Sequence, residues 1–307
     1  MRIIFMGTPE FALPSLEAIR QRPDELLAVV TQPDRPSGRG QKPTPSPVKL
    51  AAIAAGLAVV QPEKVRDPGF LEWCRGLAPD VIVVVAFGQL LPKALIDIPR
   101  HGCLNVHASL LPRYRGAAPI HWALIRDERE TGVTTMQIDI GMDTGPMYLQ
   151  RATPITAEDT AETLAQRLSI LGAQVLNDTL DLLAAGRLVA RPQDSSQATL
   201  APLLKKEDGR IDWTRSATAI AALIRGTTPW PGAHTSYEQD QWRIWRAYAT
   251  AGSGAPGIIL RADAEGVVVG TREGRLVITE LQAPGGKRLK VREYLAGHLV
   301  KPGNRLV

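Results

Sequence analysis

The polar side chains best suited to chemistry are concentrated in residues 105–116, Asn-Val-His-Ala-Ser-Leu-Leu-Pro-Arg-Tyr-Arg-Gly. In an extended strand, side chains two positions apart project from one face, so the Asn105 amide would lie beside the His107 imidazole while Val106 points into the core. The pair stands at the end of a predicted strand, before a proline-containing turn, where open α/β sheets carry their ligand-binding groups. We therefore expect the active site here, although an isolated Asn-x-His is weak evidence.

An acid that could hold this pair follows further along the chain. Residues 138–145, Ile-Asp-Ile-Gly-Met-Asp-Thr-Gly, supply two carboxylates after a second predicted strand, and Asp143 lies in a turn flanked by glycines. A carboxylate near an imidazole favours the charged ring, and an Asn amide can donate to an oxygen that develops negative charge. Asn105, His107 and Asp143 would thus combine a proton acceptor with an oxyanion donor. On spacing alone the commoner alternative stays open, in which His107 is a core histidine and Asp143 caps a turn.

Other chemistries find less support in the motifs. The first βα turn, Gly-Thr-Pro-Glu at 7–10, lacks the G-x-G-x-x-G pattern, and no P-loop pattern occurs. His101, Cys103 and His107 could share one face of a strand, but no fourth ligand has zinc-type spacing, so a metal site is disfavoured. Ser109 lies outside a G-x-S-x-G elbow, which leaves a serine hydrolase without support.

The elements that must position these residues alternate between strand and helix. Apolar runs at 2–6, 26–30, 58–61, 80–87 and 103–107 are separated by helical patterns, and a long amphipathic helix over 157–185 ends at Gly186. This alternation predicts βαβ units and a Rossmann-like, mostly parallel sheet. A half-exposed strand is expected over 133–140.

One segment interrupts the alternation. Residues 32–47 hold five prolines and two glycines together with the cations Arg35, Arg39 and Lys42, and no packed element fits that composition. A long basic loop in an α/β unit suits contact with phosphates, and a surface loop without a partner is the alternative.

The last third of the chain has a different pattern. Short strand-like runs separated by turn signals predict a small β-barrel of the oligonucleotide-binding type. We therefore expect an α/β domain over 1–188, a linker over 189–208 and a β-barrel domain over 209–307. Residues 203–307 hold 16 Lys and Arg against 10 Asp and Glu, which suggests a polyanionic partner such as nucleic acid, while a solvated basic face without a partner stays an equally open alternative on charge alone.

Composition limits the class and the compartment. The 307 residues, 44% hydrophobic and 22% charged, are typical of a globular protein with room for two domains. Two cysteines, Cys74 and Cys103, are interpreted as structural thiols in a reducing cytoplasm. Apolar runs stay well short of the roughly 18 residues of a membrane span, so we expect a cytoplasmic protein without a membrane partner.

The motifs together resemble a known family. Residues 105–112 and 114–116, followed by 139–145, resemble the folate-dependent formyltransferases. This core is shared with members that act on glycinamide ribonucleotide or amino sugars. Further segments resemble the members that act on a charged tRNA, namely residues 31–36, 38–40, 46–49, 211–213, 229–231 and 302–307.

The resemblance implies a reaction and its catalytic groups. A formyl group would pass from 10-formyltetrahydrofolate to the α-amino group of methionine on initiator methionyl-tRNA, with no metal required. Asn105, His107 and Asp143 would be catalytic. The amine would attack the formyl carbon, Asn105 and protonated His107 would stabilise the oxyanion, and Asp143 would sustain the imidazolium.

The resemblance also implies binding residues. The tetrahydrofolate site would be lined by Ser109, Leu110, Leu111, Pro112, Phe87, Gly88 and Leu90. The tRNA would be contacted by Arg39 and Lys42 in the basic loop and, as weaker candidates, by Lys205 and Lys206. We expect a monomer with no DNA partner. The alternatives are a formyltransferase that acts on a small amine and an RNA-binding relative without catalysis.

Overall fold

The structure, a computed structural model, describes residues 1–37 and 42–307. The chain divides into two units, each built from separate segments. The first contains Met1–Gly116, Thr131–Thr153 and Ala165–Leu200, and the second contains Ala117–Glu130, Pro154–Leu164 and Ala201–Val307. Within the described residues, no helix is long and apolar enough to cross a membrane.

The strands of the first half of the chain are mostly assembled into one sheet. In chain order they are β1 (Arg2–Gly7), β2 (Glu25–Val30), β3 (Arg35–Ser37), β4 (Lys42–Thr44), β5 (Val59–Val60), β6 (Val81–Val85), β7 (Cys103–His107), β8 (Glu130–Gln137) and β9 (Met147–Pro154). Seven of them form a sheet in the order β5-β2-β1-β6-β7-β8-β9. Pairing is parallel from β5 through β7 and antiparallel between β7 and β8. The predicted mostly parallel sheet is confirmed.

The sheet's central strands are apolar along their whole length because both of their faces are covered. All five residues of β6 are buried, and so are five of the six residues of β1. Strands of a parallel sheet with helices on both faces show this continuous apolar pattern rather than alternation. The polar side chains of this sheet that a ligand can reach are therefore those at the carboxyl ends of its strands.

Eight helices are described. They are α1 (Leu13–Arg20), α2 (Pro47–Ala54), α3 (Pro68–Leu77), α4 (Lys93–Ile96), α5 (Pro119–Ile125), α6 (Ala161–Ala184), α7 (Ala217–Thr227) and α8 (Val291–Leu295), with short 3-10 turns at Glu10–Ala12, Ser195–Gln197 and Lys206–Gly209. Helix α6 begins four residues later than predicted because the Thr160 hydroxyl accepts from the Thr163 backbone N–H and caps the helix there.

The second unit contains an antiparallel sheet. Its strands are β10 (Ala233–Tyr237), β11 (Asp240–Thr250), β12 (Ile259–Asp263), β13 (Gly266–Gly270), β14 (Arg275–Gln282) and β15 (Leu289–Lys290). The order is β10-β11-β14-β13-β12, with β15 beside β14. The last residues of the chain hydrogen-bond to Ser236 on one side and to Gly257 and Ile259 on the other, so they join the two edges. Where the sequence predicts a small β-barrel of the oligonucleotide-binding type, the structure has an antiparallel sheet domain, with Trp242 at its centre between Tyr237 and Tyr294.

Several local expectations were wrong. The basic segment contains a small hairpin, since β3 and β4 pair with Arg35 opposite Thr44 and Pro36 opposite Pro43. Strand β8 lies three residues earlier than predicted, because residues 138–145 form the turn that follows it. Strand β9 was not predicted, since its sequence shows no alternation of apolar and polar residues and none of it is buried.

Candidate active site

Strand β7 carries the first two residues of the predicted trio. Asn105 pairs with Val84 of β6 and with Met136 of β8, and His107 pairs with Thr134 of β8. Asn105 is half-buried, and His107 is 6% exposed. Between them, Val106 points away, toward Gly172 of α6. The alternation of side chains along the strand thus places Asn105 and His107 on one face, as the spacing predicts.

The two nitrogens of His107 have different partners. Nε2 lies 2.9 Å from the carbonyl oxygen of Tyr114, and Nδ1 lies 3.6 Å from Oδ2 of Asp143. Because a carbonyl oxygen can only accept, Nε2 carries a proton and donates it to Tyr114. Nδ1 is therefore the nitrogen that can take up or release a proton, and it does so beside a carboxylate.

The two carboxylates of residues 138–145 have separate roles. Asp139 accepts from the Gly141 N–H at 3.0 Å and from the Thr144 hydroxyl at 2.7 Å, so it stabilises its own turn. Asp143 instead turns inward, and its Oδ2 accepts from the Gly116 N–H at 2.8 Å while facing His107. The geometry thus brings together the three residues singled out from the sequence. It also adds two backbone groups whose roles were not predicted, the Tyr114 carbonyl and the Gly116 N–H.

The Asn105 amide has no hydrogen bond with any residue of 1–37 or 42–307. A half-buried amide without a partner is unfavourable unless a ligand or water pairs with it. It lies on the strand face that also presents His107. The arrangement therefore offers a free N–H donor next to a group that can exchange a proton.

The loop at residues 109–112 is held by side chains from β8 and β9. Ser109 is fully buried, and its hydroxyl donates to the Arg113 carbonyl at 2.6 Å, which fixes the loop from within. Thr134 donates to the Ser109 carbonyl at 2.7 Å and accepts from the Leu111 N–H at 3.2 Å, and Gln150 donates to the Leu111 carbonyl at 2.8 Å. Sequence reasoning missed Thr134 and Gln150 because only the strand register brings them under the loop.

The remaining predicted folate residues differ in exposure. Leu110 is half-buried and covers Gly132 of β8, where a Cβ would lie 2.6 Å from its Cδ2. Leu111 is buried and Pro112 is half-buried. At the end of β6, Phe87 belongs to the apolar core, Gly88 has a φ of 90°, and Leu90 exposes 86% of its surface. Their roles in folate binding stay predictions.

The predicted tRNA contacts fall in two places. Arg39 lies outside the described residues, and Lys42 begins β4. In the second unit the Lys205 backbone N–H donates to Asp208, and Lys206 lines a cavity of about 550 Å³. The cavity is also lined by Trp230, which is half exposed, and by His234, Arg243 and Gln282. A cation beside an exposed aromatic ring suits the phosphates and bases of single-stranded RNA.

Both cysteines of the chain are buried. Cys74 and Cys103 are free and buried, and burial raises the pKa of each thiol to about 12. Both therefore stay protonated near neutral pH, as structural thiols do. Within the described residues, no group of three or more His, Cys, Asp or Glu side chains could hold a metal ion.

Comparison with known proteins identifies the class of the chain. The family model described as "Formyl transferase" matches residues 1–180, and the model "Formyl transferase, C-terminal domain" matches residues 203–299, so the protein is a formyl transferase. It is 55% identical to the methionyl-tRNA formyltransferase of Citrifermentans bemidjiense over 100% of this chain and 96% of that one, and 54% identical to that of Geobacter sulfurreducens over the same shares. The chain belongs to the methionyl-tRNA formyltransferase family.

Solved structures show the same fold at low identity. The N-formyltransferase of Helicobacter canadensis, in complex with folinic acid and dTDP-3-aminofucose, has a TM-score of 0.70 and 18% identity, over 90% of this chain and 98% of that chain. HypX of Aquifex aeolicus, in complex with tetrahydrofolic acid, has a TM-score of 0.64 and 18% identity, over 96% of this chain and 47% of that chain. These likenesses concern the fold alone.

Proposed function

We propose that this chain transfers the formyl group of 10-formyltetrahydrofolate to the α-amino group of methionine on initiator methionyl-tRNA, giving the formylated tRNA used in translation initiation. The full-length identity with methionyl-tRNA formyltransferases supports the reaction and its substrates. One observation carries the assignment of residues: Nδ1 of His107 lies 3.6 Å from the Asp143 carboxylate, on the strand face that presents the Asn105 amide, which has no partner among the described residues.

The residues at this sheet edge fit a folate. The folate supplies a formyl carbon bonded to nitrogen, which an amine can attack. The Asn105 amide lacks a partner within the described residues, and Leu90 offers a large exposed apolar surface at the end of the neighbouring strand. Polar edges and an apolar body are both present in a pterin, so the predicted set Ser109, Leu110, Leu111, Pro112, Phe87, Gly88 and Leu90 remains our proposal for its site.

Each proposed catalytic residue has one task. The Asn105 N–H donates to the oxygen that gains negative charge as the amine attacks. His107 holds Nε2–H against Tyr114, so its Nδ1 takes the proton from the attacking amine. The protonated ring then donates to the same oxygen and, as the bond between the formyl carbon and the folate nitrogen breaks, returns the proton to that nitrogen, which releases tetrahydrofolate and the formylated amine. Asp143, fixed by the Gly116 N–H, stabilises the imidazolium.

The test is a comparison of turnover with tRNA affinity in His107→Ala, Asp143→Ala and Asn105→Ala. Loss of a general base or of an oxyanion donor typically lowers turnover by about a hundredfold or more. The affinity for tRNA should change by no more than about twofold, since none of the three is a phosphate contact. His101→Ala is the matched control and should retain turnover. Near-wild-type turnover in His107→Ala or Asp143→Ala would remove those roles.

The acceptor is tested in parallel assays. Charged initiator tRNA, free methionine and an amino-sugar nucleotide are each offered with 10-formyltetrahydrofolate. Formylation of the charged tRNA alone is expected. Transfer only to a small amine would keep the catalytic trio and discard the tRNA substrate, and no transfer to any acceptor would favour an RNA-binding relative without catalysis.

We place the reaction in the cytoplasm, where translation initiates, with tRNA and folate as partners rather than DNA or a membrane. Arg39, Lys42, Lys205 and Lys206 are the proposed tRNA contacts, as cations able to pair with phosphates. One chain contains all three proposed catalytic groups, which supports a monomer. Light scattering at assay concentration should give the mass of a single chain, and the mass of a dimer would contradict this.

A further inference from the structure

Gln193 belongs to the segment that the sequence predicts to be a linker, yet its side chain reaches the Asp143 turn. Its Nε2 donates to the carbonyl oxygens of Asp143 at 2.8 Å and Gly145 at 2.7 Å. Its Oε1 accepts from Arg115, from Nε at 3.0 Å and from Nη2 at 2.8 Å. An amide has two donors and an oxygen with two lone pairs, so these four hydrogen bonds use its full capacity.

Arg115 decides which way the amide faces. Its guanidinium is buried, with 7% exposure, and it contacts the neutral Gln193 and, more distantly, the Ser195 hydroxyl. A guanidinium can only donate, so it requires the amide oxygen, and the NH2 group is left to face the two carbonyls. If the amide were reversed, its NH2 group would face the Arg115 guanidinium and its oxygen would face the two carbonyl oxygens, and no hydrogen bond could form in either place. The amide therefore has one favourable orientation.

The turn that Gln193 holds needs such support. Asp143 has a φ of +53°, in the left-handed region that residues other than glycine adopt only when their surroundings hold them there. Gly145 presses closely on β8, where an added Cβ would lie 1.9 Å from the Gln137 carbonyl oxygen. Gln193 spans the turn from Asp143 to Gly145 and so fixes the backbone from which the Asp143 carboxylate reaches His107.

We propose that Gln193 is a positioning residue that holds Asp143 against His107, and that Arg115 orients Gln193 for this task. The proposal rests on the proposed function, because it assigns Gln193 an effect only through Asp143. A residue without substrate contact can still change the rate, since small displacements of a catalytic group lower turnover strongly.

Gln193→Glu and Gln193→Ala test whether the Gln193 side chain positions Asp143. Gln193→Glu keeps the size of the side chain and an oxygen for Arg115, but it loses both N–H donors to the turn. Both variants should lower kcat by about tenfold to a hundredfold and leave KM for tRNA within about twofold. Gln197→Ala is the control from the same segment, since the Gln197 side chain bonds only to Asp194 among residues 1–37 and 42–307, and its kcat should match wild type.

A double-mutant cycle separates positioning from a general loss of structure. In single-turnover assays at high enzyme concentration, Gln193→Ala should lower the rate less than about twofold when Asp143 is already alanine, because the group on which it acts is gone. An undiminished effect in the Asp143→Ala background, or a wild-type kcat in Gln193→Glu, would overturn the proposal. If Asp143→Ala itself kept full activity, the proposed function of Asp143 would fail instead, and with it the basis of this inference.

Discussion

At the scale of single residues, the site depends on which partner each polar atom already has. His107 is held by a carbonyl on one nitrogen and faces a carboxylate with the other, so the structure distinguishes its two nitrogens. The Ser109 hydroxyl donates to the Arg113 carbonyl within its own loop. The sequence predicted these residue types at one sheet edge, but it could not show how their hydrogen bonds are divided, because the partners Tyr114, Asp143 and Arg113 lie in irregular turns that no periodic pattern predicts.

A substitution of Thr134 measures how far the loop at residues 109–112 depends on its hydrogen bonds to β8. Thr134→Val deprives the Ser109 carbonyl of its donor and the Leu111 N–H of its acceptor, and each unsatisfied buried group costs about 1–3 kcal/mol. We expect a lower free energy of unfolding in urea and a raised KM for 10-formyltetrahydrofolate. Thr131→Val is the matched control from the same strand, since the hydroxyl of this buried residue has no hydrogen bond within the described residues, and it should change stability by less than about 0.5 kcal/mol. Equal effects of the two substitutions would show that Thr134 does not fix the loop.

At the scale of elements, long periodic segments could be predicted and contacts distant in sequence could not. The buried strands and helix α6 follow from apolar periodicity and capping. The edge strand β9 is exposed, and α8 has only five residues, so neither has enough periodicity to be recognised. Gln193 lies fifty residues from Asp143, and no local pattern links the two.

The contact between α5 and α7 is another such pairing and makes stability depend on pH. His121 Nδ1 donates to the Gly226 carbonyl at 2.8 Å, where a Cβ on Gly226 would lie 2.6 Å from Ile125. Burial lowers the pKa of His121 from its ordinary 6.5, while the bond to Gly226 opposes this. At pH values just below 6.5 the folded state therefore binds fewer protons than the unfolded state. The contribution of His121 to the free energy of unfolding is complete above pH 6.5 and is lost as the pH falls below it.

Thermal unfolding at two pH values measures this contribution. Between about pH 7.5 and about pH 5.5, the Tm of His121→Gln should fall less than that of wild type, because the glutamine cannot be protonated. His298→Gln is the control, as His298 is exposed in the same unit. An identical fall in wild type and His121→Gln would show that His121 does not govern the pH dependence.

At the scale of the whole molecule, the excess positive charge lies in the last third of the sequence. The sequence located the positive charge in residues 203–307, and the structure puts Lys206 and Arg243 on one cavity with Trp230. The sign of the partner's charge could thus be predicted from composition, because counting charged residues requires no knowledge of the fold. The grouping of cations around an aromatic ring could not, since Lys206 and Arg243 come from separate elements of the second unit.

Salt dependence connects this charge to function. Each cation that neutralises a phosphate releases a counterion, so KM for tRNA should rise with salt while KM for 10-formyltetrahydrofolate changes little. Lys206→Ala should raise KM for tRNA and reduce the slope of log KM against log salt by about one, the change expected for the loss of one proposed phosphate contact. Lys206→Arg keeps the charge and should keep the slope. Since kcat reports the bound complex, it should be similar in all three proteins. A slope that is unchanged in Lys206→Ala would place Lys206 outside the tRNA interface and leave the positive charge of that cavity to Arg243.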